Sequence, residues 1–455
     1  MGTYDAIIIG FGKGGKTLAG KLASVGKKIA LVEKSDKMFG GTCINVGCIP
    51  SKSLVNSSRA VSARGAISFE EKVSLYKEAI EEKRRLTSTL RKKNFDKLNN
   101  MENVDIFVGK ASFVSNTQVE VKSAGNDSFI LEGKSIYINT GATPVIPKID
   151  GIEGNDQVYF SEGLLDESNL PRRLVIVGGG YIGLEFASMY SGFGSEVTVI
   201  QDGEAFIPRE DEDIAASIKA VLEEKGVRFI LGASIHKIEK ASRSSILHYE
   251  KDGQAAVLEA EAILIATGRR PNTDGLNAQN AGVELTSRGA VKVDENLKTT
   301  APNIWAMGDV AGGLQFTYVS LDDFRIVWSQ IQGGDYSSAK RKPVPYSVFI
   351  DPSFSRIGMN EREAKAAGYE VKIATLPAAA IPKAQVLKKP QGMLKAVIDK
   401  KTNKILGAML FCEESYEMIN IVKLAMDLDA DYRVLRDQIY THPTMSEAFN
   451  DLFAV

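Results

Sequence analysis

Two glycine fingerprints, each set between an apolar strand and a helix, constrain this chain more than any other feature. Asp5 to Lys34 reads as a strand (Ala6 to Ile9), a glycine turn, a helix, and a second strand ending at Glu33. Leu174 to Asp202 repeats the design, from strand Leu174 to Val177 through to strand Glu196 to Ile200. The glycines are Gly10, Gly12 and Gly15 in the first unit and Gly178, Gly180 and Gly183 in the second. They permit a tight turn, close backbone approach to a pyrophosphate, and close helix–strand packing. The helix N-terminus then offers unpaired amide donors to the phosphates. One such match is a weak signal, but two in the same context predict two Rossmann-like dinucleotide-binding domains.

The second strand of such a unit ends where a ribose is read. In the first unit that position is Glu33, whose carboxylate can bind a ribose diol. The same offset in the second unit falls on Gln201. A glutamine can bind a 2′-hydroxyl but lacks the charge that repels a 2′-phosphate. The first arginine beyond it is Arg209. NADH is therefore the expected nicotinamide, with NADPH the alternative.

At 455 residues the chain is long enough for several domains. Its net charge of -1 gives no basic excess to attract nucleic acid or an anionic membrane. No apolar stretch approaches the ~20 residues of a membrane helix. The N-terminus begins a strand pattern at once, without a basic n-region or cleavage site, so a cytoplasmic protein is expected. The 3 cysteines are too few for a secretory disulfide framework.

Two of these cysteines are close together, in Gly40-Gly41-Thr42-Cys43-Ile44-Asn45-Val46-Gly47-Cys48-Ile49-Pro50-Ser51-Lys52. Spacing alone is compatible with two unrelated core cysteines. In a regular helix, residues i and i+5 lie about 8.6 Å apart, whereas a disulfide needs Cα atoms within roughly 6.8 Å. If the pair bridges, the backbone between them must be distorted, and Gly47 makes that inexpensive. Beyond Cys48 the helix can be regular, which would put Lys52 on the same face, one turn on. Cys412 stands alone after an apolar run and reads as a buried core residue.

Elsewhere, Glu70 to Asn99 is a long amphipathic helix pattern whose charges form a solvated face. Two apolar strands end in similar turns, Asn139-Thr140-Gly141-Ala142 and Ala266-Thr267-Gly268-Arg269, as exits from each nucleotide domain. After Ile304-Trp305-Ala306-Met307-Gly308-Asp309 the chain should return to the first site. From about Lys340 the pattern becomes a separate α+β domain. The expected division is 1–150 and 273–340 for the first dinucleotide domain, 151–272 for the second, and 341–455 for the last.

The string Gly-Gly-Thr-Cys-x4-Cys-Ile-Pro-Ser-Lys, set between two dinucleotide fingerprints and a Gly-Asp turn, resembles the pyridine nucleotide–disulfide oxidoreductases. That family includes dihydrolipoamide dehydrogenase, glutathione reductase and mercuric reductase, and the resemblance runs from Tyr4 to the end. It implies FAD on the first unit, with Gly10, Gly12, Gly15, Glu33, Thr42, Lys52, Thr140, Gly141 and Asp309 about it, Asp309 on the ribityl chain. It implies NAD(P)H on Gly178, Gly180, Tyr181, Gly183, Gln201 and Gly268, and a flavin between nicotinamide and disulfide. Cys48 matches the flavin-facing sulfur, and Cys43 the outer sulfur that exchanges with substrate. Lys52 matches the lysine beside the flavin's reactive nitrogen, with Glu185 its acidic partner, and Tyr181 matches the aromatic gate displaced when nicotinamide binds. His442-Pro443-Thr444-Met445-Ser446-Glu447 resembles the family's His-Pro…Glu element, which reaches a partner subunit's disulfide. The last domain is then a dimerisation domain of a homodimer. A histidine oriented by Glu447 can take a proton from one thiol and stabilise the resulting thiolate.

Three strings depart from the lipoamide and glutathione enzymes: the opening Ile9-Gly10-Phe11-Gly12-Lys13, Gly312 to Asp323, and Pro443 to Phe453. They are similar to a branch of the family from bacterial reactive-chlorine resistance, described as copper(II) reductases. That resemblance implies Cu(II) as acceptor, bound transiently by Cys43 and Cys48, since a soft thiolate pair favours Cu(I). A dihydrolipoamide dehydrogenase is the alternative, and a flavin-bound dithiol sensor a third.

Overall fold

An apolar run such as Ile7-Ile8-Ile9 is satisfied by burial on both faces of a sheet. The computed structural model, which describes residues 2–125 and 127–455, places it so. Strand β1 (Gly2–Ile9) pairs in parallel with β2 (Ile29–Glu33) and with strand Ser128–Ile138. Val104–Val108 extends the sheet beyond β2, and Ile304–Ala306 joins Ser128–Ile138, both in parallel. Gln118–Lys122 and Lys110–Phe113 complete it as antiparallel strands. Helix α1 (Lys13–Ser24) and helix Thr317–Ile331 cover one face, where Leu18, Leu22, Ile326 and Val327 cluster with Ile8 and Leu31. On the other face Ile7, Ile9, Ile136 and Ile138 cluster with Val119, Val121 and Val291. These elements belong to one compact unit, built from the N-terminus to Ser53, Ala79–Ile146 and Gly268–Arg341.

Leu54–Glu78, Pro147–Thr267 and Lys342–Val455 form a second unit. It holds a five-stranded parallel sheet in the order Arg228–Ile230, Glu196–Ile200, Arg173–Val177, Ala262–Ile265, Val158–Phe160. Helix Tyr181–Phe193 follows the second fingerprint and ends on Gly194, whose φ of 99° suits a residue without Cβ. His236 and His248 lie on an antiparallel meander (Ser234–Lys240, Ser245–Lys251, Gln254–Ala260). The C-terminal segment builds a five-stranded antiparallel sheet, in the order Tyr346–Val348, Phe354–Gly358, Ile405–Phe411, Met393–Asp399, Val371–Pro377. Helix Ser415–Asp427 and helix Ala448–Leu452 pack on it through Met418, Val422, Phe449 and Leu452. Two Rossmann-like sheets and a C-terminal α+β layer are the fold class that the sequence patterns predicted. Among the described residues no helix is long and apolar enough to cross a membrane.

The two fingerprints share one steric solution. Gly10 and Gly178 have φ of 103° and 112°, and a Cβ there would lie 2.3 Å from the Asn139 carbonyl oxygen and 2.6 Å from that of Ala266. Gly15 and Gly183 pack back onto the first glycine of their own unit, at 2.7 and 2.1 Å by the same measure. Any side chain at these positions would push strand and helix apart.

Candidate active site

The helix that should carry the two cysteines is broken between them. Helix α2 (Thr42–Asn45) closes at Val46, and α3 (Cys48–Ser62) starts afresh at Cys48. Gly47 supplies space there: a Cβ would stand 3.1 Å from the Thr42 carbonyl oxygen. Asn45 braces the loop, its amide donating to the carbonyls of Phe39 and Gly41 at 3.0 and 2.9 Å. Its oxygen accepts from Arg91 Nε at 2.7 Å, in α4 (Phe69–Asn99). Neither cysteine is in a disulfide; Cys43 is half-buried and Cys48 exposed. They are hydrogen-bonded to each other, which with burial raises the Cys43 pKa well above the ordinary thiol range. Cys48 Sγ also lies 3.6 Å from Thr317 Oγ1, at the start of helix Thr317–Ile331. Tyr318 follows, stacked on Phe316 at 5.2 Å and close enough to Cys48 to feel its charge. The string that departs from the lipoamide and glutathione enzymes thus faces the dithiol. Lys52 lies one turn beyond Cys48 on α3.

The surroundings of the first fingerprint suit FAD. Glu33 is buried, its Oε2 accepts the Phe11 amide at 2.9 Å, and burial raises its pKa. Such an acceptor-only group matches the hydroxyl donors of a ribose diol. Gly41 lets the redox loop cross the first turn at van der Waals contact, since a Cβ there would lie 2.8 Å from the Cα of Gly12. Thr42 opens α2 directly after it. Thr140 Oγ1 donates to the Asn272 carbonyl at 2.7 Å, and Gly141, at φ 74°, faces open space. Asp309 sits in the 3-10 turn after strand Ile304–Ala306, its pKa raised by burial.

In the second unit a Cβ on Gly180 would meet no protein atom within 4 Å, which leaves its backbone open to the close approach a pyrophosphate needs. Gln201 spends its amide N–H groups on the carbonyls of Gly203 and Ala205, at 2.8 and 3.0 Å. Its oxygen is left as an acceptor, which suits a 2′-hydroxyl better than a phosphate. Gly268 opens the return segment of the first unit at φ 109°. Tyr181 begins helix Tyr181–Phe193, and its hydroxyl donates to the buried carboxylate of Glu210. Glu185, one turn on, accepts the Phe349 amide at 2.9 Å. Lys52 and Glu185 belong to different units.

His442 Nδ1 lies 2.8 Å from Glu447 Oε2. The imidazole is 70% exposed while the carboxylate is only 17% exposed, so the ring is oriented from behind and presented outward. Cys412 is fully buried, its thiol 3.7 Å from the Met418 sulfur and its pKa raised by burial.

Four residues that sequence reasoning passed over hold the site. Asn139 takes the Gly15 amide at 2.9 Å and donates to the Met307 carbonyl at 2.6 Å and to Ser320 at 3.3 Å, tying three distant segments at the fingerprint. Asp323, buried, accepts the Gly308 amide at 2.6 Å and fixes the turn that presents Asp309. Lys16 donates to the Gly40 carbonyl at 3.2 Å and to Asn94 at 2.6 Å, and is electrostatically coupled to Cys43. Glu210 is the fourth. Asn139 and Asp323 stand inside strings already singled out, but Lys16 carries no sequence signal.

Family signatures agree with this geometry. The pyridine nucleotide-disulphide oxidoreductase signature matches residues 4–323, and that of the family's dimerisation domain matches residues 344–453. The chain is 48% identical to RclA of Escherichia coli K12, a probable pyridine nucleotide-disulfide oxidoreductase, over the full length of both proteins. It is 33% identical to dihydrolipoyl dehydrogenase of Bacillus subtilis, covering 98% of this chain and 97% of that one. It is 34% identical to a mercuric reductase of Bacillus cereus, covering 98% of this chain and 70% of the relative. The solved Cu(II) complex of the HOCl-induced flavoprotein disulfide reductase RclA from E. coli superposes with a TM-score of 0.94, covering 100% of this chain and 99% of that one. A Cu(II) complex of its C43S variant matches equally well, at 0.94. The chain therefore belongs to the pyridine nucleotide-disulphide oxidoreductase family, as a flavin-dependent oxidoreductase that uses FAD and NAD(P)H.

Proposed function

We propose that the chain is a copper(II) reductase that serves in oxidative and hypochlorous-acid stress, drawing electrons from NADH in the cytoplasm. The observation that carries this reading is the thiol pair Cys43 and Cys48, presented on a broken helix against Thr317. The full-length likeness to a protein solved as a Cu(II) complex supports it. Residues 1–150 and 273–340 would hold FAD and 151–272 the nicotinamide. When bound there, FAD would supply hydride acceptance from the nicotinamide and delivery of an electron pair to the cysteine pair. Lys52 and Glu185 would then hold charge near the reacting flavin ring. By the motif's resemblance, Cys48 would be the flavin-facing sulfur and Cys43 the outer sulfur that meets the acceptor. Each turnover takes the dithiol to the disulfide, releases two protons, and reduces two Cu(II) to two Cu(I). Thiolate sulfur prefers Cu(I), so binding favours the reduced metal. In a homodimer formed through residues 341–455, His442 of one protomer, oriented by Glu447, would take a thiol proton at its partner's pair.

The alternative is a dihydrolipoamide dehydrogenase, favoured by the intact His442–Glu447 pair and by the Bacillus subtilis relative. Anaerobic NADH oxidation by the holoenzyme separates the two, with Cu(II) and a Cu(I) chelator in one cuvette and lipoamide in another. Turnover with copper alone, lost in Cys43→Ser, is expected. Strong lipoamide turnover with negligible Cu(I) would make the chain a lipoamide dehydrogenase.

A further inference from the structure

We propose that Glu210 is a positioning residue that holds Tyr181 in its resting place, so that nicotinamide entry begins by breaking the hydrogen bond between them. This inference rests on the reading of Tyr181 as the aromatic gate. The loop between strand Glu196–Ile200 and helix Glu212–Glu224 starts at Gln201, the ribose-reading position, and ends beside Glu210. Glu210 turns inward, and its side chain is 0% exposed. A carboxylate buried that far is costly unless every lone pair finds a donor. Three donors meet it: the Tyr181 hydroxyl, the Tyr346 hydroxyl at 2.5 Å, and Arg356 Nη1 at 3.2 Å.

The acceptor is fixed from behind. Arg356 is held by the Glu363 carboxylate and by the Arg209 carbonyl at 2.8 Å, and Asn360 donates to that same carbonyl at 3.0 Å. Ile207, just before this segment, has φ of 35° while buried, a conformation that a β-branched side chain resists and that tight surroundings must impose. The Tyr181 and Tyr346 rings lie 5.5 Å apart at 31°, with hydroxyls 3.1 Å apart. Burial raises both phenols well above their ordinary pKa, so each remains a neutral donor.

A gate needs only an aromatic ring. The hydroxyl adds a charge-assisted bond that weights the closed position, and the apparent affinity for nicotinamide falls by the fraction of molecules open. Tyr346 explains how opening stays affordable in a buried site. When Tyr181 leaves, Tyr346 and Arg356 still satisfy the carboxylate, and no buried charge is stranded.

The test is anaerobic stopped-flow reduction of the FAD holoenzyme by NADH, in Tyr181→Phe, Glu210→Gln and Tyr181→Gly. Loss of one hydrogen bond to a charged group corresponds to about a tenfold fall in the apparent Kd for NADH in Tyr181→Phe. Glu210→Gln should show the same fall with its limiting reduction rate retained, a split that general loosening of the fold would not give. If that variant loses FAD or fails to fold, Tyr181→Phe decides alone. A native Kd in Tyr181→Phe beside a lowered Kd in Tyr181→Gly would leave the gate standing and overturn the clamp. A native Kd in Tyr181→Gly would overturn the gate reading, and the clamp with it.

Discussion

Opposed influences meet at Cys43. Its hydrogen bond with Cys48 and its burial favour the protonated thiol, while the nearby Lys16 cation favours the thiolate. Lys16 is itself disfavoured as a cation: burial, then Lys13, lowers its pKa to about 8. The sign follows from proton counts. Between about pH 8 and its unfolded value of 10.5 the unfolded chain binds the extra proton, so stability rises with pH in that window. The unfolding free energy of the native protein should gain on that of Lys16→Met by about 1–3 kcal/mol across it. Urea unfolding of the disulfide form from pH 7 to 11 measures this, and a pH-independent difference would mean that Lys16 is freely solvated. For the other sulfur, Cys48→Ser should remove the long-wavelength absorbance that a thiolate beside bound FAD gives, with FAD retained. If the band persists, Cys43 is the flavin-facing sulfur. The cysteines were legible because their motif is local. Lys16 was not, because a lysine in the first turn of α1 has the sequence appearance of a solvated one.

At the scale of elements, the strand–turn–helix units could be read almost residue by residue, since period, glycine spacing and strand burial all agree. Their tight packing makes a sharp prediction. Gly183→Ala puts a Cβ 2.1 Å from the Gly178 carbonyl oxygen, so strand and helix must separate. It should cost about 1–3 kcal/mol and abolish nicotinamide binding while FAD stays bound. Equilibrium titration with NAD+ checks the second part. The loop after strand Tyr346–Val348 is held differently. Asp351 meets Arg59 Nε at 3.2 Å, Lys225 Nζ at 2.5 Å and Lys389 Nζ at 2.9 Å. Burial pushes its pKa up, but Lys225 and Lys389 outweigh it and the carboxyl falls to about 2. A depressed carboxylate gives stability present above its unfolded value of 3.8 and lost as pH falls through about 2. Urea unfolding should therefore decline more steeply between pH 4 and 2 in the native protein than in Asp351→Asn. Parallel slopes would show that the network is fully solvent-screened.

For the whole molecule, the helices and loops that follow the last strand of the C-terminal sheet leave apolar side chains outside. Ile439 is 94% exposed, and Leu424, Leu428 and Val434 are exposed in the same segment, which matches the family's dimerisation domain. Apolar groups left this open are expected at an interface between copies of the chain. Light scattering should give twice the 49.4 kDa chain mass, and Ile439→Asp should shift it toward the monomer. If His442 serves its partner's thiols, that variant should also lose acceptor turnover while NADH still reduces the bound flavin. A monomeric mass for the native protein, with full turnover, would assign His442 no role across an interface.

The sequence by itself determined the two nucleotide folds, the redox-active string and the presence of a distinct C-terminal layer. Each is written in short-range patterns: a glycine spacing, a strand period, a motif of a dozen residues. Tertiary structure decided which distant groups meet. Asn139 binds Gly15, Met307 and Ser320; Lys16 neighbours Cys43; Thr317 touches Cys48; and Glu210 gathers Tyr181, Tyr346 and Arg356. A buried polar group is stable only beside its complement. Which complement it finds depends on where the chain returns, and no local pattern records that.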